Sequence, residues 1–512
     1  MFDQRTSGVL LHISSLPGPC GGDLGPCARH FVDWLVVARQ SVWQMLPIAP
    51  VGVSGSPYMG LSSCAGNPAF VAFEPLVANG WIDAAATPKL PLGGRLDVAR
   101  AAELRCSALR TAFAGFEAAA SSSHRDAFGA WCLEESDWLD DYADFMVRVD
   151  HFGHDEWWRW SVYPTPDAGH ARGTTFWKFV QWCFDWQMRE LREYANQKGV
   201  RLLGDLPLYV AHYSVDVWAE PELFAVDAQG RLELVTGVPP DPVSPSGQRW
   251  GTPQFRWERH AEQGYRWWSR RLRRSHRFFD AMRIDHFRAF AAYWEIPAAS
   301  DAAGGRWVKG PGRAFFDKMY AALGRVDWMV EDLAYIITAD VHALREELRL
   351  PGTRVLLYGF VGGPDSEYLP HNYTRDCVAY TGTHDNDTVR GAWCSSSEGE
   401  RSAMKAYLGD VDEDVHWAMI RVLATSVANT VILPFQDLLG LDSSHRMNVA
   451  GTVSHANWSW RFEWPMVGPE PALRLGEITT VSGRYRPEQT DGAVATSLAS
   501  RTSEDPWADY PF

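Results

Sequence analysis

The sequence predicts an α/β protein, a (β/α)8 TIM barrel with a large, mainly helical insertion between strands 2 and 3 and further loop insertions. Three observations carry this expectation. Eight short apolar runs suit buried parallel strands, helical periodicities lie between many of them, and four of the strand ends carry a carboxylate in or just after the run. The chain has 512 residues, enough for three or so domains or for one barrel with insertions.

The runs are residues 8–12, 42–48, 201–208, 281–286, 326–331, 353–358, 377–382 and 430–435. After the first, Phe31, Trp34, Leu35 and Ala38 follow a helical period. Before the third, Phe184, Met188, Leu191 and Ala195 do the same, and Gly199 supplies a left-handed stop. Before the fifth, Phe315, Met319, Ala322 and Leu323 repeat the pattern up to Gly324. Residues 400–429, before the eighth, suffice for a helix or a helix pair. The competing architecture is an open doubly wound sheet. It is disfavoured because no Gly-rich phosphate turn follows the first strand.

Strands 1 and 2 are expected within residues 1–50. Residues 51–194 are too many for one crossover and are read as an inserted, mainly helical subdomain, with an Ala-rich helix around residues 99–120. Residues 195–485 complete the barrel and include a lid at 237–255, where Pro and Gly crowd around Trp250. Residues 486–512 read as a polar C-terminal tail. The Trp-rich segment 157–160 is expected to serve packing rather than ligand contact.

Composition narrows the function classes. Hydrophobic residues are 46% and charged residues 22%, so a large core is possible and disorder is not expected. The formal charge of −15 argues against nucleic acid or an anionic membrane as partner. No apolar run approaches the ~20 residues of a membrane helix, and no secretory h-region is seen. Eight cysteines without a CxxC pair read as reduced thiols of a cytoplasmic protein, with no zinc site. The 25 tryptophans suit flat apolar faces, including those of sugar rings.

In a (β/α)8 barrel, chemistry sits at the C-terminal ends of the strands. The third run carries Asp205, the fourth Asp285, the fifth Glu331, and the seventh runs into Asp385 and Asp387. Paired carboxylates are what cleavage of a glycosidic bond requires. Strand alternation puts Arg283 and Asp285 on one face, where the cation favours an ionised carboxylate. The bland readings are a barrel-interior ion pair for Arg283 and Asp285, a helix N-cap partner for Glu331, and Asx turns for Asp385 and Asp387.

Longer motifs surround these residues. Among them are Ser15-Leu16-Pro17-Gly18-Pro19, Ser56-Pro57-Tyr58, Gly204-Asp205-Leu206-Pro207, Gly247-Gln248-Arg249-Trp250-Gly251 and Arg283-Ile284-Asp285-His286-Phe287-Arg288. Further on stand Tyr293-Trp294-Glu295-Ile296-Pro297, Glu331-Asp332-Leu333, Thr383-His384-Asp385-Asn386-Asp387, Gln436-Asp437, Arg446-Met447-Asn448 and Asn457-Trp458. With these motifs in this order, the chain resembles the amylomaltases, 4-α-glucanotransferases of the α-amylase clan, from about residue 7 to 485. The resemblance implies maltooligosaccharides and α-1,4-glucans as partners, with no cofactor and no metal. It does not address oligomeric state.

The same resemblance implies roles. Asp285 matches the nucleophile, Glu331 the general acid/base, and Asp385 the third carboxylate that holds sugar hydroxyls. Arg283 and His384 match residues beside the cleavage point, Asp205 the strand-three aspartate, and Ser56, Tyr58, Trp250 and Asn457 positions on the glucan path. The sequence departs from the usual pattern at Tyr213, Thr252, Leu357, Tyr358 and Met59, none of them among the three carboxylates. The expected chemistry is a retaining double displacement with the two carboxyls roughly 5–5.5 Å apart. The rivals are a hydrolase on the same scaffold and a non-catalytic glucan-binding protein.

Overall fold

The computed structural model describes residues 1–485 apart from 53, 92, 243, 334–337 and 413. The polar segment 486–512 lies outside the described residues. Among the described residues twelve strands form: β1 (Thr6–Leu10), β2 (Val42–Gln44), β3 (Arg201–Leu206), β4 (Leu234–Val238), β5 (Gln248–Pro253), β6 (Ala281–Ile284), β7 (Ala292–Pro297), β8 (Arg306–Lys309), β9 (Asp327–Val330), β10 (Gly352–Val355), β11 (Cys377–Tyr380) and β12 (Thr430–Pro434).

Eight of these pair in parallel in the order β10-β11-β12-β1-β2-β3-β6-β9. The two ends meet where the Val330 N–H donates to the Pro351 carbonyl at 3.0 Å and the Thr353 N–H donates to the Asp332 carboxylate at 2.7 Å. The result is the expected (β/α)8 barrel, and each of the eight apolar runs overlaps one of its strands. Most of the strands are shorter than the runs. After Val355, residues Leu356–Phe360 coil into a 3-10 helix, because an apolar run reads alike as strand or buried helix.

Helices surround the strands where the periodicities predict. Pro26–Val37 follows β1 with Pro at its first position. The helix Ala168–Gln197 begins at Asp167, whose side chain caps the His170 N–H, and stops before Gly199 at φ 78°. Arg313–Leu323 precedes β9. The stretch before β12 is a pair, Glu398–Leu408 and Val415–Thr425, the first opened by a Ser397/Glu400 capping box.

Between β2 and β3 the chain forms the helices Val98–Ala119, Ser122–Glu134 and Ser136–Phe152 before it enters Ala168–Gln197. Their shared core is aromatic, with Trp81, Phe116, Phe179 and Trp182 in mutual contact. The segment at 157–160 is also packing. Trp158 stacks on the His212 ring at 3.8 Å, the Trp157 indole N–H donates to the His212 carbonyl, and Trp160 stacks on Phe152.

A second sheet corrects the picture of the lid. Strands β5-β4-β7-β8 form an antiparallel sheet, so residues 237–255 are half hairpin rather than an irregular loop. Backbone pairing with β7 satisfies β4. The four prolines at 239, 240, 242 and 245 fall in the connection, where no ladder donor is lost. Val235, Ile296 and Ala302 bury a small core of their own against this sheet. Among the described residues, no helix is long and apolar enough to cross a membrane.

Candidate active site

The site is built on the rim where β3, β6, β9 and β11 end. Gly204 allows β3 to pass close to its neighbours, since a Cβ there would lie 2.5 Å from the Phe279 ring. Asp205 follows it into the barrel. Its carboxylate is fully enclosed and accepts Arg283 Nη1 at 2.7 and 2.9 Å and the Tyr58 hydroxyl at 2.8 Å. Arg283 stands in register with Asp205 on the adjacent strand. Alternation brings Asp285 to the same face, and the same Nη1 donates to its Oδ1 at 2.8 Å.

One guanidinium nitrogen therefore serves two carboxylates. This changes the expectation that Arg283 alone would hold Asp285 ionised. Burial pushes the Asp285 carboxyl up to about 6, with Arg283 pulling it down and Asp205 adding to the rise. Burial opposes the charge of Arg283 itself, but Asp205 and Asp285 override it and keep the guanidinium protonated. A quarter of the Asp285 side chain stays open to the cleft.

Glu331 follows β9. Its Oε2 accepts the His286 N–H at 2.9 Å and its Oε1 the Leu333 N–H at 2.7 Å. Main-chain bonds stitch the two strand ends together, from Glu331 N–H to the Ile284 carbonyl and from Phe287 N–H to the Glu331 carbonyl. His286 sits at φ 48°, an uncommon conformation for a non-glycine residue, in the turn that joins these two acidic positions. Burial, opposed by Arg283 and reinforced by Asp285, pushes the Glu331 carboxyl up to about 8. The pair thus titrates in two steps, and between about 6 and about 8 Asp285 is ionised while Glu331 holds its proton.

The loop after β11 carries His384 and Asp385. The His384 ring stacks on Tyr58 at 5.1 Å and its Nε2 lies 3.4 Å from Asp385 Oδ2. Asp385 is nearly half exposed, and its Oδ1 accepts Asn448 Nδ2 at 2.6 Å while Arg446 donates to its carbonyl at 2.9 Å. Both ends of the loop are held by buried Asp437, which accepts the Thr381 hydroxyl at 2.6 Å and the Val389 N–H at 2.8 Å.

The remaining expected positions differ in kind. Trp250 on β5 meets the His286 ring edge to face at 4.9 Å, which brings the hairpin against the turn after β6. Ser56 caps the Tyr58 N–H at 3.3 Å and so shapes the loop presenting that ring. Asn457 is buried with its amide committed to its own loop, to the Val449 N–H and to the Thr452 carbonyl and hydroxyl. It braces the loop rather than offering free donors. Asn448, Arg446 and Asp437 lie in motifs visible in the sequence, yet only their contacts reveal that they support Asp385. Nothing in the sequence signals the left-handed turn at His286.

The comparisons follow the same line. The family model described as 4-alpha-glucanotransferase, glycosyl hydrolase family 77, matches residues 11–466. A 4-alpha-glucanotransferase of Thermus thermophilus is 41% identical over 502 residues, covering 94% of this chain and 99% of that protein. One from Synechocystis sp. is 39% identical over 501 residues, with 94% and 99% covered. Amylomaltase from Streptococcus agalactiae in complex with acarbose superposes with a TM-score of 0.89 at 33% identity, covering 94% of this chain and all of that one. Matches of this extent, over a barrel with acidic strand ends on one rim, place the chain in the 4-alpha-glucanotransferase family, glycosyl hydrolase family 77.

Proposed function

We propose that this 4-alpha-glucanotransferase acts on α-1,4-glucans with Asp285 as nucleophile, Glu331 as general acid/base and Asp385 as the carboxylate that holds sugar hydroxyls. The observation that carries the assignment is the placement of two carboxyls on the adjacent strand ends of β6 and β9 in unlike settings, Asp285 paired with the Arg283 guanidinium at 2.8 Å and Glu331 held by the His286 and Leu333 N–H groups, with burial raising Glu331 further than Asp285. In the first step Asp285 attacks the anomeric carbon while Glu331 protonates the departing oxygen. A covalent glycosyl-enzyme forms and the leaving glucan departs. The 4-hydroxyl of an incoming glucan then gives its proton to ionised Glu331 and attacks the same carbon, restoring Asp285 and the α linkage.

The electrostatics favour this path. Asp205 and ionised Asp285 each bring one negative charge and Arg283 one positive, which leaves a net negative charge on the trio. An oxocarbenium-like transition state is stabilised by such a surrounding. His384, stacked on Tyr58 next to Asp385, supplies donors for ring hydroxyls. Trp250 shields the nucleophile from water, so that the intermediate meets sugar first. We assign residues 51–194 to an inserted subdomain and the 237–255 hairpin to the role of lid. Eight free thiols fit a reducing cytoplasm.

Incubation with maltotriose tests the reading. Longer oligomers plus glucose, with little net gain in reducing ends, are expected, and both are lost in Asp285→Asn. Equimolar reducing ends per bond cleaved would mark a hydrolase. Sugar binding without turnover would mark a binding protein.

A further inference from the structure

The outer edge of the antiparallel sheet carries an exposed indole held flat by a guanidinium. Trp307 on β8 is 43% exposed. It pairs directly with Trp294 of β7, so the two rings stand on one sheet face, in contact at 5.2 Å with planes at 67°. Trp294 is fixed in place. Its indole N–H donates to the Ala302 carbonyl at 2.8 Å, and Gly305 leaves it room, since a Cβ there would fall 2.3 Å from the ring nitrogen. The Arg288 guanidinium carbon lies 4.2 Å from the centre of the Trp307 ring, a cation–π contact that sets the orientation of the indole. Arg288 Nε is buried and has no acceptor among the described residues.

Packing alone does not account for the exposed ring. An indole left in water forgoes the stabilisation of burial. A glucose ring answers this with an apolar face for the indole, while Arg288 holds the ring in place from behind. A protein partner would need a much larger surface, on the order of 1,200 Å² or more. Position narrows the ligand further. Arg288 lies three residues beyond Asp285, on the short helix Arg288–Ala291 that follows the β6 turn. It interacts electrostatically with Asp340 and, less strongly, with Glu331, the group that serves the departing and incoming oxygens.

We propose that Trp307, oriented by Arg288 and backed by Trp294, forms a glucan-binding platform on the Glu331 side of the cleft, engaging acceptor chains several glucose units from the bond transferred. The proposal rests on the transfer reading given above. It assigns Trp307 a part in chain-length preference.

Steady-state kinetics on maltotriose and on amylose of ~20 glucose units, with wild type, Trp307→Ala and Trp307→Phe, test it. Trp307→Ala is expected to raise KM for amylose about fivefold or more relative to its effect on maltotriose, with kcat retained. Trp307→Phe is expected to restore part of the loss and remains informative if the alanine variant folds poorly. Equal changes in KM for the two substrates, or none for either, would overturn the platform. Absence of transfer by wild type on maltotriose would instead overturn the underlying reading.

Discussion

Glu331→Gln is expected to reverse sign as a stability mutation between about pH 4 and about pH 9. The Glu331 carboxyl is raised from its ordinary 4.5 to about 8, chiefly by burial. In the unfolded chain it ionises at its ordinary value. Between those limits the folded protein keeps a proton that the unfolded chain has released. The contribution of this group to stability therefore falls as pH rises through the window, and the full penalty stands above about 8. The span is worth about 4 to 5 kcal/mol as a ceiling, reduced to about 2–3 kcal/mol by the solvent contact the side chain keeps. Gln removes that penalty but has only one oxygen. One of the two backbone donors, from His286 at 2.9 Å or Leu333 at 2.7 Å, then faces an amide NH2, at a cost of about 1–2 kcal/mol. Below pH 4 only this loss remains, so the variant is the less stable protein. Near pH 9 it is the more stable by about 1 kcal/mol. Urea midpoints of both proteins across this range measure the difference. A difference that does not change with pH, or a deficit that grows as pH rises, would refute the reasoning.

Other expectations follow from the same geometry. Asp285→Asn should lower both cleavage and transfer by at least about a thousandfold with far-UV circular dichroism unchanged. Near-normal maltotriose disproportionation would remove Asp285 as the nucleophile. The pH profile of kcat/KM should be a bell with limbs near about 6 and about 8, and a flat profile over that range would contradict the two-step titration. Asp205→Asn takes a like charge from beside Asp285 and frees Arg283 Nη1 for it, so the acid limb should move to lower pH. An upward move would show that Asp205 does not act through charge. Trp250→Ala should raise the share of reducing ends released per transfer event, and an unchanged share would rule out shielding by this ring.

The barrel strands were legible because parallel strands covered on both faces read as unbroken apolar runs. The flanking helices were legible from their period and from stops such as Gly199 and Gly324. The rim carboxylates were legible because each stands in or just beyond an apolar run, as Asp285 does after Ala281–Ile284. The antiparallel sheet was not. Its strands are short and mix polar, Pro and Gly positions, and β4 finds its partner β7 more than fifty residues away, where no local pattern can point to it. The irregular lid expected at 237–255 is the visible cost of that blindness. Asn457 shows a finer limit, since a polar side chain in a motif looks the same whether it faces ligand or braces its own loop.

Residue order by itself determined the barrel, the strand ends on which acids stand, and the motifs through which the chain resembles its family. These are properties of local hydrophobic pattern and of residue identity, and both are written along the chain. Tertiary structure alone decided how Arg283 is divided between Asp205 and Asp285, how far burial separates Asp285 from Glu331, and that Asp437 and Asn448 hold the loop bearing Asp385. Those outcomes depend on sheet register and on water excluded by distant segments. Coulombic and desolvation energies follow from separation in space, and separation in sequence does not determine it.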